Sequence, residues 1–350
     1  PIIKDPQYIE EADYLIIEST YGDAIHEGLG ESTEKLIDII DRTALRGGTV
    51  IIPSFAVGRT QELIYELNGY YEYDEDIEEH MRIPIYVDSP MAVEATNAFQ
   101  LNSSSFDDDA KGLILKGDNP FTFSNLRYIK EQKESMALNK YKFPKVIISS
   151  SGMATGGRVR HHLKHNLWDE RNSLVFVGYQ AEGTLGRIIL NGTKRVKILG
   201  EEILVKSEIY YLEGLSGHAD QIMLLDWVRK IKSKPQKIFI VHGEEESANE
   251  LSERIEKEFN IETIIPDMYD RFVIEKQAIE LSEEVKIEPA YLKQDIRAEL
   301  ENVYSQLESL DARRDRLVDP KLLAEEYDML KNILIELQQN LMDLNIMVGR

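Results

Sequence analysis

The sequence contains no cysteine. Disulfides and thiolate metal sites are thereby excluded, which leaves histidine, aspartate and glutamate as the strong metal ligands. No apolar run approaches the roughly 18 residues of a membrane span, and no basic segment followed by an apolar one opens the chain, so a cytoplasmic protein without membrane contact is expected. Positive charge is scarce: 41 Lys and Arg stand against 63 Asp and Glu, for a formal charge of -22. Such a balance speaks against a polyanion-coating surface and confines any nucleic-acid contact to a local basic groove. An initiator methionine is also missing; a chain that opens PIIKDPQYIE reads as starting partway through a longer protein.

What is present is enough for about two domains, since 350 residues at 42% hydrophobic can bury a sizeable core. One unit recurs four times: a β-rich apolar run, a loop of small residues, then a helical pattern. The copies are TVIIPSFAVGRTQELIYEL, IPIYVDSPMAVEATNAF, KVIISSSGMATGGRVRHHL and SLVFVGYQAEGTLGRIIL. Near-continuous apolar runs alternating with helices predict parallel strands covered on both faces, that is, a doubly wound, mostly parallel α/β domain. Ligands gather at the carboxyl ends of such strands, where the loops PSFAVGR, DSPMA, SSSGMATGGR and GYQAEGT would converge on one cleft. The acidic stretches YYEYDEDIEEH and FDDDAKG read as solvated helix faces or loops.

Strands of another kind flank this domain. ADYLIIESTYGD precedes it, while EIYYLEGLSGHAD and KIFIVHGEEESANELSERI follow, and each delivers a carboxylate or histidine at its end: Glu18, His218 and His242. The mouths of strands are where α/β enzymes keep their chemistry. His218 alone is compatible with packing, capping, metal binding or proton donation, although Asp220 is the better cap for the helical pattern that follows. Beyond Ile287, Ile296, Leu300, Val303, Leu307 and Leu310 step by four and three, as do Leu323, Tyr327, Leu330, Leu334, Leu337, Leu341 and Leu344. The VDP between them breaks the seam, which predicts a C-terminal hairpin of two antiparallel helices. Such a hairpin either packs on its own body or serves as an arm for a homodimer or a partner protein.

In this order, IIESTYGD, PSFAVGRTQELIYEL, SSSGMATGGRVRHHL, GLSGHAD and VHGEEE resemble the β-CASP branch of the metallo-β-lactamase-fold nucleases. The resemblance covers roughly residues 1–275. It implies a two-lobed nucleic-acid hydrolase, with the doubly wound domain inserted as a lid into an αββα lobe and a two-zinc site at the seam. On this reading residues 1–22 and 208–286 belong to the incomplete metallo-β-lactamase lobe, 23–207 to the β-CASP domain and 287–350 to the helical hairpin. Glu18 matches the acidic residue of motif A, His218 the histidine of motif B and His242 that of motif C. By this likeness His242 is a zinc ligand. His218 stands near the scissile phosphate as general acid or charge stabiliser, with Glu18 orienting its ring. Histidine suits acid work, because its ordinary pKa near 6.5 makes a proton available at neutral pH. A histidine at motif C resembles the RNA-processing members, which implies RNA, preferably single-stranded, and hydrolysis of a phosphodiester by a metal-activated hydroxide.

Ser54, Ser151 and Gly152 lie where a strand hands over to a helix, so their N–H groups and hydroxyls can hold a phosphate. Arg59, Arg158 and Arg187, with Arg160, Lys164, Lys194 and Arg195, cluster around the same loops against the acidic trend. They either line the cleft or pair with nearby carboxylates as ordinary surface charges. His161, His162 and His165 read as packing or RNA-proximal residues rather than a metal cluster, since only His161 and His165 share a helix face. One departure stands out. The family binds most of its zinc through an HxHxDH motif ahead of motif A, and neither an HxH nor a DH pair occurs here. With His242 as the one matched ligand, and about three protein ligands needed for a catalytic zinc, the expectation is the C-terminal portion of a zinc-dependent ribonuclease, inactive alone. A catalytically silent subunit that binds RNA or scaffolds a complex is the alternative.

Overall fold

The computed structural model describes residues 2–73 and 82–274. The described residues belong to one compact unit, Pro1–Gln277. The expected helical hairpin at 287–350, and residues 74–80 of the first acidic stretch, lie outside the described residues. Among the described residues no helix is long and apolar enough to cross a membrane.

In chain order the strands are β1 (Tyr14–Glu18), β2 (Thr49–Pro53), β3 (Ile85–Val87), β4 (Leu126–Tyr128), β5 (Lys145–Ser149), β6 (Ser173–Phe176), β7 (Arg195–Ile198), β8 (Glu201–Leu204), β9 (Glu208–Tyr211), β10 (Lys237–Val241) and β11 (Glu262–Ile264). The helices are α1 (Leu29–Leu45), α2 (Arg59–Tyr73), α3 (Pro90–Leu101), α4 (Asp108–Leu115), α5 (Gln132–Leu138), α6 (Val159–Asn166), α7 (Leu185–Leu190), α8 (Gln221–Arg229) and α9 (Glu245–Phe259). The four repeated units become β2–α2, β3–α3, β5–α6 and β6–α7, and their strands pair in parallel in a six-stranded sheet of order β4-β3-β5-β2-β6-β9.

Every residue of β2, β5 and β6 is buried because successive side chains point into two different cores. Val50 and Ile52 pack with α1 and α2 through Leu36, Ile40, Leu63 and Leu67. Ile51 faces the other way, onto Val159 and Leu163 of α6. Helix α1 presents Leu36, Ile39, Ile40 and Thr43, the spacing of one helical stripe. At α3 the sequence DSP does two jobs: the Ser89 side chain accepts from the Ala92 N–H, and Pro90 occupies the first turn.

A smaller parallel sheet of order β1-β10-β11 packs Leu15, Ile17, Ile238 and Ile240 against α8 and α9. β1 and β10 are partnered with each other, and Glu18 stands level with Val241.

Two assignments to the flanking lobe change. Strand β9, expected with the hydrolase strands, hydrogen-bonds in parallel to β6 and completes the six-stranded sheet. Ile2, from the expected N-terminal part of the hydrolase lobe, is buried in the core of that larger sheet, and Ile3 bridges to Phe106. Neither partnership is visible locally, since the parallel neighbours β6 and β9, and the antiparallel bridge from Ile3 to Phe106, join residues far apart in the chain. The antiparallel β7–β8 hairpin was also not anticipated.

The carboxyl ends of β3 and β5 are tied together by a buried polar network. Asp88 is fully buried; His162 Nε2 at 2.6 Å and Arg158 Nη1 at 2.7 Å donate to its carboxylate, as does the Ser135 hydroxyl. Burial acts to raise the Asp88 pKa, but the bonds from His162, Ser135 and Arg158 outweigh it and hold the carboxyl below the usual aspartate range. A depressed folded-state pKa contributes stability that is complete above the unfolded value, about 3.9, and is lost as pH falls below it. Asp88→Ala is expected to destabilise the fold by about 3–5 kcal/mol, because it strands buried partners. Urea unfolding at pH 7 and at descending acid pH should show the wild-type advantage over Asp88→Asn shrinking toward acid; an advantage that does not shrink would contradict this account.

Candidate active site

The chain crosses between the two sheets at two places that lie side by side. After β1 it leaves through Ser19–Gly22, and after β9 it returns through the segment ending at Asp220. Tyr21 and Asp220 form a parallel bridge at this crossing. Asp220 accepts from the Met223 N–H at 2.8 Å, capping α8 as expected, and from the His26 N–H at 3.0 Å, tying the outgoing strand to the incoming helix. Gln221 adds a bond to the Gly22 carbonyl at 2.6 Å.

This crossing brings Glu18, His218 and His242 together, although His218, expected at a strand end, lies beyond β9 and the short turn Glu213–Leu215, on the segment that leads into α8. His218 Nδ1 donates to Glu18 Oε2 at 2.7 Å, and the rings of His218 and His242 stack with centroids 5.5 Å apart and 26° between planes. Thr20, which the motif reading passed over, sits at the centre. Its Oγ1 lies 2.6 Å from Glu18 Oε2, 3.3 Å from His218 Nδ1 and 3.2 Å from His242 Nδ1. Its signal in the sequence was its place two residues beyond Glu18 in IIESTYGD.

Burial works to raise the Glu18 pKa. The bonds from His218 and Thr20, the charge of His218 and the Ala219 N–H overcome it, and the carboxyl falls to about 2. Glu18 is thus an anion that only accepts, so the His218 nitrogen facing it carries the proton. The opposite nitrogen, Nε2, is left without this partner, on a side chain that lines the cleft. The Thr20 hydroxyl, donating to Glu18, can accept in turn from His242 Nδ1, and in that tautomer Nε2 of His242 carries the lone pair.

His242 adopts a left-handed backbone, φ 55°, at the end of β10. The close approach of the neighbouring strand end accounts for the next residue. A Cβ on Gly243 would lie 2.3 Å from Ser19 Oγ and 2.5 Å from its carbonyl oxygen, so only glycine fits. Ser19 itself donates to the Val241 carbonyl at 3.0 Å. The pair VHGE therefore turns the His242 ring, 68% exposed, into the cleft.

Glu18, His218 and His242 can each place one ligand atom within 4.8 Å of the others. Glu18 Oε2 and His218 Nδ1 are engaged with one another, and His242 is the most exposed of the three side chains. Among the described residues these imidazole and carboxylate donors are of the kind that zinc takes.

Two adjoining hollows open on these residues. A cleft of about 900 Å³ is lined by Thr20, His218, His242 and Glu244 together with Phe55, Met153 and Tyr179. A cavity of about 280 Å³ next to it is lined by Ser54, Arg59, Gly152, Gln180, Gly217 and His218, and shares Phe55, Met153 and Tyr179 with the cleft. Arg59 is only 8% exposed, paired with Glu62 at 2.7 Å, and its Nη2 would sit 3.2 Å from a Cβ on Gly217. The glycine before His218 lets this guanidinium lie against the motif.

The other expected phosphate-holding residues are placed differently. Ser151 accepts from the Gly156 N–H at 3.2 Å within its own loop. Arg158 is engaged by Asp88 and by the Ile129 and Lys130 carbonyls, and so holds the sheet edge together. Arg187 reaches the Gln180 carbonyl at 3.2 Å and Glu244 at 3.7 Å. Lys164 and Arg195 pair with Glu201 and Glu202, as ordinary surface charges do. His162 is a buried partner of Asp88, whereas His161 and His165 are exposed.

Comparison with known proteins agrees with this arrangement. A family model described as the Beta-Casp domain matches residues 60–189. A second, described as the Zn-dependent metallo-hydrolase RNA specificity domain, matches residues 202–266. A ribonuclease of Thermus thermophilus is 40% identical over 245 residues, covering 70% of this chain and 54% of that protein. The transcription termination factor FttA of Methanocaldococcus jannaschii is 36% identical over 260 residues, 72% of this chain and 40% of the relative. Its counterpart in Pyrococcus abyssi is 36% identical over 264 residues, 73% and 40%. The chain spans about half the length of the first of these relatives and less of the others. The first matched segment holds β3 to β6 of the larger sheet with the helices between them, the second holds β9, His218 and His242, and on both the chain belongs to the β-CASP family of the metallo-β-lactamase fold.

Proposed function

We propose that this chain is the substrate-holding and proton-donating portion of a zinc-dependent RNA phosphodiester hydrolase that works in the cytoplasm. The single observation that carries the reading is the Glu18–His218 bond of 2.7 Å at the wall shared by the cleft and the cavity. A histidine whose Nδ1 is fixed by an anionic carboxylate presents Nε2 to the cleft, where it can protonate a leaving oxygen or stabilise its charge. The matched RNA specificity domain and the ribonuclease relative support RNA as the substrate. Ser54, Arg59 and Gly152 line the cavity beside His218 and are suited to the backbone of a single strand.

Zinc, when bound, supplies Lewis-acid stabilisation of phosphate charge and a water of lowered pKa. His242 contributes one ligand to it, the remaining ligands coming from elsewhere in the whole protein, so cleavage is expected of that protein and not of this chain alone. The pairing of a homodimer or partner protein through residues 287–350 rests on the heptad spacing of Ile296 to Leu344.

In the whole protein, His218→Ala should lower turnover by about 10²- to 10⁴-fold, the span of a lost general acid, with zinc content unchanged. His242→Ala should lower zinc content. Elemental analysis beside RNA cleavage checks both, and loss of zinc from His218→Ala would contradict the acid role. The left-handed conformation at His242 adds a third expectation. With metal removed by a chelator, His242→Gly should raise stability by up to about 1 kcal/mol, since glycine escapes the left-handed penalty, while His242→Ala should not; equal thermal midpoints for the two would refute the strain.

A further inference from the structure

Glu244 precedes α9, yet its side chain makes no capping bond to that helix. It reaches to the other lobe instead. The Tyr179 hydroxyl donates to Glu244 Oε1, and Arg187 Nη2 lies 3.7 Å from Glu244 Oε2. Tyr179 and Arg187 both come from GYQAEGTLGR, which runs from the loop after β6 into the first turn of α7, whereas Glu244 stands two residues after His242. Tyr179 and Glu244 line the same cleft as His218 and His242. Arg187 is held in place by its second contact, Nη1 to the Gln180 carbonyl at 3.2 Å, and is 29% exposed.

A hydroxyl and a guanidinium directed at one carboxylate are also the donors that a phosphate oxygen takes, because both anions accept charge-assisted hydrogen bonds in the same geometry. The cleft at this point is otherwise hostile to phosphate, being lined by Glu182, Glu245 and Glu246 as well as Glu244. The geometry points to Glu244 as a stand-in anion: in the free protein its carboxylate occupies a phosphate subsite built by Tyr179 and Arg187 and latches the two lobes across the cleft. A backbone phosphate of single-stranded RNA displaces it. This assignment rests on the RNA reading above and adds to it a competitor for substrate within the cleft. Binding exchanges one anion for another at Arg187, so the latch opens only for a ligand that offers phosphate beside the catalytic histidine.

The test is binding of a short, unstructured, fluorescently labelled RNA by the whole protein in chelator, followed by anisotropy at several salt concentrations. Glu244→Gln keeps an acceptor for Tyr179 and removes the charge, so it should bind about two- to fivefold more tightly, the worth of a partly exposed ion pair. Arg187→Ala should bind more weakly and flatten the dependence of log affinity on log salt by about 0.7, the loss of one single-strand phosphate contact. The double variant Arg187→Ala/Glu244→Gln should show less than the Glu244→Gln gain, because the two residues act on one subsite. Arg187→Lys, which preserves the charge, should restore the slope. An unchanged or weaker affinity for Glu244→Gln, with an unchanged salt slope for Arg187→Ala, would reduce the contact to a structural tie and overturn the assignment. Failure of the wild type and of every variant to bind RNA would overturn the RNA reading, and this inference with it.

Discussion

The site depends on one constraint: the two passages of the chain between its sheets are pinned to each other at Tyr21 and Asp220. Asp220 is well placed for this because one carboxylate serves both strands of the crossing, capping α8 with one oxygen and accepting the His26 N–H with the other. Once that crossing is set, Glu18 and His218 have little freedom to be apart. His242 joins them through a separate route, since β1 and β10 pair in a register that puts Glu18 beside Val241. Three side chains separated by as many as 224 positions in the chain thus meet through one backbone bridge and one sheet register.

Local strain and close packing then aim the groups. His242 pays for its position with a left-handed backbone, and Gly243 is demanded by the approach of Ser19. Gly217 performs a related service, giving Arg59 room to lie beneath the loop that carries His218. Thr20 stands between the two histidines and the same carboxylate, its hydroxyl within hydrogen-bond distance of Glu18 and of Nδ1 on each ring.

Charge is handled in the same economical way. In an acidic chain, the cations near the cleft keep a local effect only where the fold sets their carboxylate partners. Here Arg59 is sunk beside the cavity, Arg158 is tied to Asp88, and Arg187 faces Glu244. The basic cluster visible around the loops is therefore not an open patch. It divides into Arg158, which holds the lobe together, Lys164 and Arg195, which pair at the surface, and Arg59 and Arg187, whose partners Glu62 and Glu244 line the cavity and the cleft.

Much of this was legible in the residues. The four strand–loop–helix units are visible as runs such as TVIIP and KVIIS because strands buried on both faces must be apolar throughout. Glu18 and His242 were legible as strand ends, and Asp220 as a cap, because strand ends and caps are local features, whereas the turn that separates His218 from β9 was not. The partnership of β9 with β6, the burial of Ile2 and the fate of Arg158 were not, because each depends on a neighbour remote in the chain. By itself the sequence determined the kind of sheet, the residue types at the strand mouths and the donor set for a metal, all of which follow from short-range pattern and side-chain chemistry. Only the tertiary structure decided which cations face the cleft and which carboxylates they meet, and it placed Thr20 between the histidines. Hydrogen bonds and ion pairs form over a few ångströms, and only the fold sets which distant residues come that close.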